Sequence, residues 1–403
     1  MLRRFSPRST FAALTVRNYR LFATGQVISV TGTWMQKMAQ SWLVLELTNS
    51  GLVLGLTTAA QQLPSLLFTP VAGLFTDRTD RRKLLLWAQV ASIAPALALG
   101  ALAWTHHATT WLIIVLAFVL GCIDAVEKPS RMTFAMDVVG RRHLANAVML
   151  NGIVQNSGKV VGPAVAGALI ATVGLPDTFF LNAVSFLPVI AGLMMMRRDE
   201  LHPTEPAPRR KGQLREGFAY AWNNRALRGP LLLMTVSGTL AYNFPVVLPL
   251  LAKDTFTGGP ELAGSLFTAM GVGAIVGGLS VAGVTTVTQG RLARSGLLFA
   301  GLLAASFLAP NTLTALLAMC LLGATSVTFR AVATTLVQLT SDPAMRGRVI
   351  SLLLVALNGT TPIGAPVIGW VGEHWGARAA LLVGAVATAA AALFLLRRTD
   401  RVT

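Results

Sequence analysis

What this chain most lacks is charge: 12% of its residues are Asp, Glu, Lys or Arg, while 54% are hydrophobic. Those proportions lie far outside the range of a soluble domain. Cysteine is nearly absent too. Cys122 and Cys320 are the two in the chain, each inside an apolar stretch, with no metal-ligand spacing and no reason to pair. His106, His107, His143, His202 and His374 all fall in loops and form no metal or nucleophile constellation. No Gly-rich loop followed by Lys and Ser/Thr is present to cradle a phosphate, so ATP is not the expected energy source. Nothing here points to an enzyme, a cofactor or a metal. A signal peptide is not expected either, because the first apolar stretch follows a basic N-terminus, is too long and lacks a small-residue cleavage site.

What is present is apolar sequence in lengths of about 20 residues, each enough to cross ~30 Å of hydrocarbon as a helix. Twelve such spans are read, with bounds at roughly 20–46, 51–76, 84–104, 110–135, 146–172, 177–196, 230–252, 262–286, 293–309, 312–338, 347–372 and 378–396. The eighth and ninth are the least sharply bounded, since Thr285, Thr286, Thr288 and Gln289 blur the turn between them. The expectation is an all-α membrane protein of twelve transmembrane helices. One extended polar stretch, Arg197 to Arg228, divides it into an N-terminal six-helix half (1–196), a cytoplasmic linker (197–228) and a C-terminal six-helix half (229–403). Within the linker, Leu214, Phe218, Ala221, Trp222 and Leu227 fall at helical spacing between cations, which suggests an amphipathic helix on the membrane face. A solvated, Pro-rich linker fits 199–212 better than 214–227.

The net charge of +17 raises the question of nucleic acid, and the placement of the charges answers it. With the N-terminus in the cytoplasm, 26 of the 33 Lys and Arg fall in the termini and the even-to-odd loops, two (Lys253, Arg378) in the opposite loops and five inside spans. That is the positive-inside pattern of a multi-pass protein of the cytoplasmic membrane with both termini inside. A nucleic-acid interface would need those cations on one folded face, and none is expected.

Two stretches 202 residues apart read as ungapped copies. Gly121, Asn156, Gly162, Gly167 and Gly174 fall on Gly323, Asn358, Gly364, Gly369 and Gly376, and Lys128 falls on Arg330. A parallel duplication within an apolar chain is the plan of a carrier with two related halves and a substrate site near the bilayer midplane.

The loop Gly73-Leu-Phe-Thr-Asp77-Arg78-Thr-Asp80-Arg81-Arg82-Lys83 resembles the signature loop of the major facilitator superfamily, with Asp80 in place of its second glycine. That resemblance implies a cytoplasmic latch formed by Gly73, Asp77, Arg78, Arg81, Arg82 and Arg131; the second half has no intact copy. Gly158-Lys-Val-Val-Gly162-Pro163-Ala-Val-Ala-Gly167 resembles the antiporter motif on the fifth helix of exporters, although Gly and Pro also pack membrane helices generically. Asn18-Tyr19-Arg20-Leu21-Phe22, Gly25-Gln26-Val-Ile-Ser29, Gly32-Thr33-Trp34-Met35-Gln36 and Trp42-Leu-Val-Leu-Glu-Leu-Thr48 are similar to the enterobactin-exporter-type and drug-efflux branch. Many relatives carry an acid where this chain has Thr33, so no coupling carboxylate is assumed on the first helix. The resemblance implies the major facilitator fold of two pseudo-symmetric bundles.

Ionisable groups inside spans need partners or water, since each costs roughly 2.5–3.5 kcal/mol at mid-membrane. Span 4 carries Asp124, Glu127, Lys128 and Arg131 on one stripe, with Asp124–Lys128 and Glu127–Arg131 each at i,i+4. They read as proton-coupling groups or as a neutralised structural set. Span 1 carries Gln26, Ser29, Thr33, Gln36, Lys37 and Gln40, and span 5 carries Asn151, Gln155 and Lys159. Polar stripes turn from lipid, so these define an expected substrate cavity or interhelical glue; Tyr242, Asn243, Arg330 and Asn358 are the thinner set in the second half. Lys37 and Lys159 have no acid within two turns on their own helix, and either borrow Asp124 or Glu127 or await an anion from the substrate. The expected function is proton-coupled efflux of a small organic molecule (drug, siderophore or other natural product) by a monomer in the lipid bilayer. The alternatives are an uptake or passive carrier of the same fold, or a non-transporting membrane sensor or assembly protein.

Overall fold

The computed structural model describes residues 11–202, 213–281 and 287–399, and their side chains apart from those of 69–78, 141, 213–214, 281 and 398–399. The described chain is helical throughout, with no strand among those residues. In chain order the α-helices are α1 (Arg17–Thr48), α2 (Gly51–Arg78), α3 (Arg81–Trp104), α4 (Thr110–Thr172), α5 (Leu175–Ser185), α6 (Leu187–Met194) and α7 (Gln213–Asn223). There follow α8 (Arg225–Leu240), α9 (Phe244–Leu250), α10 (Pro260–Val281), α11 (Gln289–Phe307), α12 (Thr312–Thr340), α13 (Arg346–Leu354), α14 (Thr361–Trp375) and α15 (Ala377–Thr399). Nine segments among the described residues are long and apolar enough to cross a membrane. The expected first, fifth and ninth spans are helical as well but are not among the nine; the helices that form them carry Lys37, Lys159, and Arg291 with Arg294, among further polar residues.

Local chemistry accounts for the helix ends. Asp80 accepts from the backbone N–H groups of Arg82 (3.0 Å) and Lys83 (3.3 Å) and so caps α3. The acid that departs from the signature loop therefore starts a helix. Asn311 and Thr314 form a reciprocal capping box at α12, and Thr288 caps α11. Spans 4 and 5 run as the two arms of α4, joined at a kink where Gly140 takes φ 63°. Span 6 is interrupted at Phe186, with Pro188 at the start of α6. Span 7 breaks between α8 and α9, where Tyr242 and Asn243 leave the helix ahead of Pro245 and a π-helical turn, Leu251–Thr255, follows. Span 11 contains a second π-helical turn, Val355–Gly359, ahead of Pro362.

The duplication is visible in the backbone. Gly174 and Gly376 stand 202 positions apart and turn the chain with φ 103° and 87°, a region that L side chains rarely adopt.

The chain divides into two compact units. The first comprises Met1–Gln40 and Leu63–Ala207, the second Ser41–Gln62 and Pro208–Thr403. The end of α1 and the start of α2 thus belong with the second unit. In the first unit Tyr19, Phe22, Leu85, Phe134, Val138 and Leu193 form a buried core, with the Phe22 and Phe134 rings edge to face at 5.5 Å. In the second, α7 buries Ala221 and leaves Phe218 and Trp222 exposed and stacked at 5.7 Å. Glu216 and Tyr220 on that helix bond Arg348 and Asp342. Residues 203–212 of the linker lie outside the described residues.

Candidate functional site

In the first unit α1 and the first arm of α4 bring together charges 87 and 91 positions apart. Asp124 lies 2.8 Å from Lys128 Nζ and 3.6 Å from Lys37 Nζ, so one carboxylate serves two ammonium groups. Lys37 thereby takes the borrowed acid that the sequence leaves open. One turn along, Glu127 pairs with Arg131 at 3.5 Å, both side chains buried. Arg131 also donates to Gln26 Oε1 at 3.3 Å. Lys159, on the second arm of α4, lies 5.6 Å from the centroid of the Trp34 ring, and Lys37 lies 5.0 Å from it. Trp34 was not singled out from the sequence. Its signal was available, because Trp34 precedes Lys37 by three positions and shares its helix face.

The rest of the α1 stripe goes elsewhere. Gln26, Gln36 and Gln40 are each 3% exposed. Gln36 Oε1 accepts from Asn182 on α5, Ser29 donates to Gln89 on α3 at 3.2 Å, and Thr33 turns back onto the Ser29 carbonyl. In this structure Gln26, Ser29 and Gln36 join helices, the role that polar side chains play where no water competes. Asn151 and Gln155 are partly exposed on α4. Gly158, Gly162, Pro163 and Gly167 follow on the same arm. A methyl group on Gly162 would come within 2.7 Å of the Thr31 carbonyl oxygen, so this motif sets the close approach of α4 to α1.

The side chains of Gly73, Asp77 and Arg78 lie outside the described set. Those of Arg81, Arg82 and Arg131 all find partners within the first unit. Arg81 Nη1 donates to both oxygens of Asp137 at 2.8 Å. Arg82 donates to the carbonyls of Leu193 (2.6 Å) and Met194 (3.2 Å), the free acceptors at the end of α6. Asp137 went unread in the sequence because it lies just past the expected end of span 4.

In the second unit the helix break at Tyr242 builds an aromatic stack. Tyr242 lies parallel to Phe299 at 5.1 Å, Phe299 stacks on Phe329 at 5.7 Å, and Phe244 meets Tyr242 edge-on at 6.0 Å. The Tyr242 hydroxyl donates to the Ser326 carbonyl at 3.0 Å, and the Arg330 guanidinium lies over the ring at 5.4 Å. Asn243 is buried and bonds the Thr239 carbonyl. Asn358 sits exposed on the π-helical turn of span 11, apart from the described contacts of this stack.

Also in the second unit, both ends of the turn between α1 and α2 are held by charged residues that sequence reasoning passed over. Glu373 accepts from Ser50 Oγ at 2.5 Å and from the Leu52 N–H at 2.9 Å, at the start of α2. Lys253 Nζ donates to the Leu45 carbonyl and to Asn49 Oδ1, both at 2.6 Å, at the end of α1. An anion at a helix start and a cation at a helix end each match the helix dipole.

Among the described residues no group of His, Cys, Asp and Glu could hold a metal ion. Residues 8–402 match a family described as transmembrane secretion effector. The chain is 24% identical to the "Staphyloferrin A transporter" of Staphylococcus aureus over 64% of this chain and 65% of that protein. It is 27% identical to the "Multidrug efflux pump Tap" of Mycobacterium tuberculosis over 94% of this chain and 92% of that one. The matched stretch thus falls just short of two thirds of the first relative and spans nearly all of the second. Among solved structures, an inward-facing, unoccupied bacterial homologue of the human lysosomal transporter Spinster superposes with a TM-score of 0.74 at 16% identity, covering 95% of this chain and 97% of that one.

Proposed function

The chain belongs to the transmembrane secretion effector family of the major facilitator superfamily, and from that membership we propose that it is a secondary transporter exporting a small organic molecule against an inward flow of protons. Export is favoured by the relatives named as a multidrug efflux pump and a macrolide efflux protein, together with the Gly158–Gly167 motif. The observation that carries the coupling is the shared carboxylate of Asp124, held by Lys37 at 3.6 Å and Lys128 at 2.8 Å. Asp124 bridges α1 and α4, so protonating it removes the charge that ties those two helices together. Glu127 beside it offers a second carboxylate whose partner, Arg131, lies on its own helix. A proton taken from outside would then change which groups hold α1 against α4, and that change is the element an alternating-access cycle needs. In this reading the chain works as a monomer in a cytoplasmic membrane, with both termini inside, the orientation that its basic loops favour. The same reading gives Gly73, Asp77, Arg78, Arg81, Arg82 and Arg131 the role of a cytoplasmic latch.

Inverted membrane vesicles with an imposed pH gradient, acid inside, test the proposal against a panel of dyes and natural products. Accumulation that collapses when a protonophore dissipates the gradient is the expected result. Accumulation indifferent to the gradient removes the coupling, and no movement of any compound removes the transport reading.

A further inference from the structure

We propose that the cargo is an organic anion and that Arg330, mounted on Tyr242, is the group in the second unit that receives its carboxylate. The inference rests on the transport reading above and names its substrate class.

The argument begins with how the two halves differ. Lys128 and Arg330 occupy corresponding positions, 202 residues apart. Lys128 has Asp124 at 2.8 Å. The residue corresponding to Asp124 is Ser326, and that corresponding to Glu127 is Phe329. At these positions the second half carries a cation but neither acid. The three arginines of the first unit whose side chains were traced above each have an acceptor: Arg81 has Asp137, Arg131 has Glu127, and Arg82 has the end of α6. Among the described residues nothing accepts a hydrogen bond from the Arg330 guanidinium, and no carboxylate lies within ion-pair distance of it; its described partner is the Tyr242 ring.

Escape to the cytoplasmic interface does not explain the arrangement. Arg330 stands ten residues before the end of α12 at Thr340, roughly 15 Å along a helix. Its head lies over Tyr242 instead, and the platform is rigid. Tyr242 is fixed by its hydroxyl to the Ser326 carbonyl, one turn before Arg330 on the same helix, and is backed by Phe299 and Phe329. A guanidinium carries five donors in a planar fork that fits a carboxylate at two points. Held over an aromatic wall at membrane depth with those donors unclaimed by the described protein, it is suited to a carboxylate carried on an apolar body. The break between α8 and α9 at Tyr242 is the kind of interruption transporters place at binding sites.

The test uses the full-length protein reconstituted in zwitterionic lipid, so that lipid headgroups offer no competing anionic lipid. Titration calorimetry compares matched pairs of an aromatic acid and its neutral amide, beginning with 2-naphthoate and 2-naphthamide; gradient-driven transport of the same pairs is followed in vesicles. Wild-type protein is expected to prefer the acid by about 10-fold to 100-fold, the range of a charge-assisted two-point contact. Arg330→Gln should abolish that preference, and Arg330→Lys should keep part of it. A panel that is carried with no preference for acids, or a preference that survives in Arg330→Gln, overturns the assignment and leaves transport standing. Loss of acid binding in 0.1 M chloride alone also overturns it, since the site would then be one for inorganic anions. If wild-type vesicles carry no compound of either kind, the transport reading falls and this inference with it.

Discussion

Replacing Asp124 by Asn removes one negative charge from between two ammonium groups and changes little else in volume. At an effective dielectric near 20, charges 2.8 Å and 3.6 Å apart attract by about 6 and about 5 kcal/mol. Desolvation offsets most of that, and breaking a buried pair by removing one partner costs about 3 kcal/mol. About a fifth of the Asp124 side chain remains exposed, which lowers the figure to about 2 kcal/mol. That corresponds to roughly 30-fold in any step that needs the pair intact. Lys37→Gln in the same background removes one of the cations left behind. The double variant should therefore outperform the product of the two single effects, with a coupling of about 1 kcal/mol. The assay compares gradient-driven accumulation with substrate exchange at equal pH on both sides. Asp124→Asn should lose accumulation while keeping much of its exchange, because exchange requires no net proton movement. Full gradient-driven accumulation in Asp124→Asn with Glu127→Gln would place the coupling group elsewhere. Strictly additive single effects would refute the shared carboxylate.

Three further outcomes follow from other parts of the molecule. Glu373→Gln should speed amide hydrogen exchange at Leu52 by roughly 10-fold, since that N–H loses a charged acceptor; unchanged protection would show that the bond does not hold the start of α2. Gly364→Ala should lower the thermal unfolding midpoint in detergent, at a cost of about 2 kcal/mol, because its methyl meets the Thr239 carbonyl, whereas Gly347→Ala, with open space around it, should leave the midpoint in place. Single cysteines at His106 and Asp177 should react with an impermeant reagent from outside and one at Thr79 should not; external labelling at Thr79 would invert the topology.

The parts of the fold that periodicity and duplication control were legible in the sequence. Lys128 and Asp124 pair because i,i+4 spacing sets them side by side on one helix face, and Gly174 and Gly376 turn alike because glycine best suits that backbone. Span 7 could be placed, but its break at Tyr242 could not, since Pro245 fits equally well at the first turn of a new helix or inside a bent one. The sorting of the α1 stripe was also hidden. Lys37 and Gln36 are neighbours in sequence, yet 100° of helical rotation sends one toward Asp124 and the other toward Asn182. Glu373 and Lys253 read as ordinary loop charges because their partners at Ser50 and Asn49 lie 323 and 204 residues away, and no local pattern relates them. The resemblance drew attention to the signature loop as a whole, whereas the cap made by Asp80 belongs to this chain's own departure from it.

Exchange of substrate for protons is the core of the account, and it can be read without an imposed pH gradient. Purified protein would be reconstituted in tight vesicles containing a pH-sensitive dye, loaded with a compound that the vesicle panel has shown to be carried, and diluted into compound-free medium at the same pH. Movement of the compound out of the vesicle should drive protons in, so the dye should report acidification that stops in the Asp124→Asn, Glu127→Gln variant. Loss of the compound from wild-type vesicles with no change in internal pH would contradict proton coupling and leave a passive carrier of the same fold.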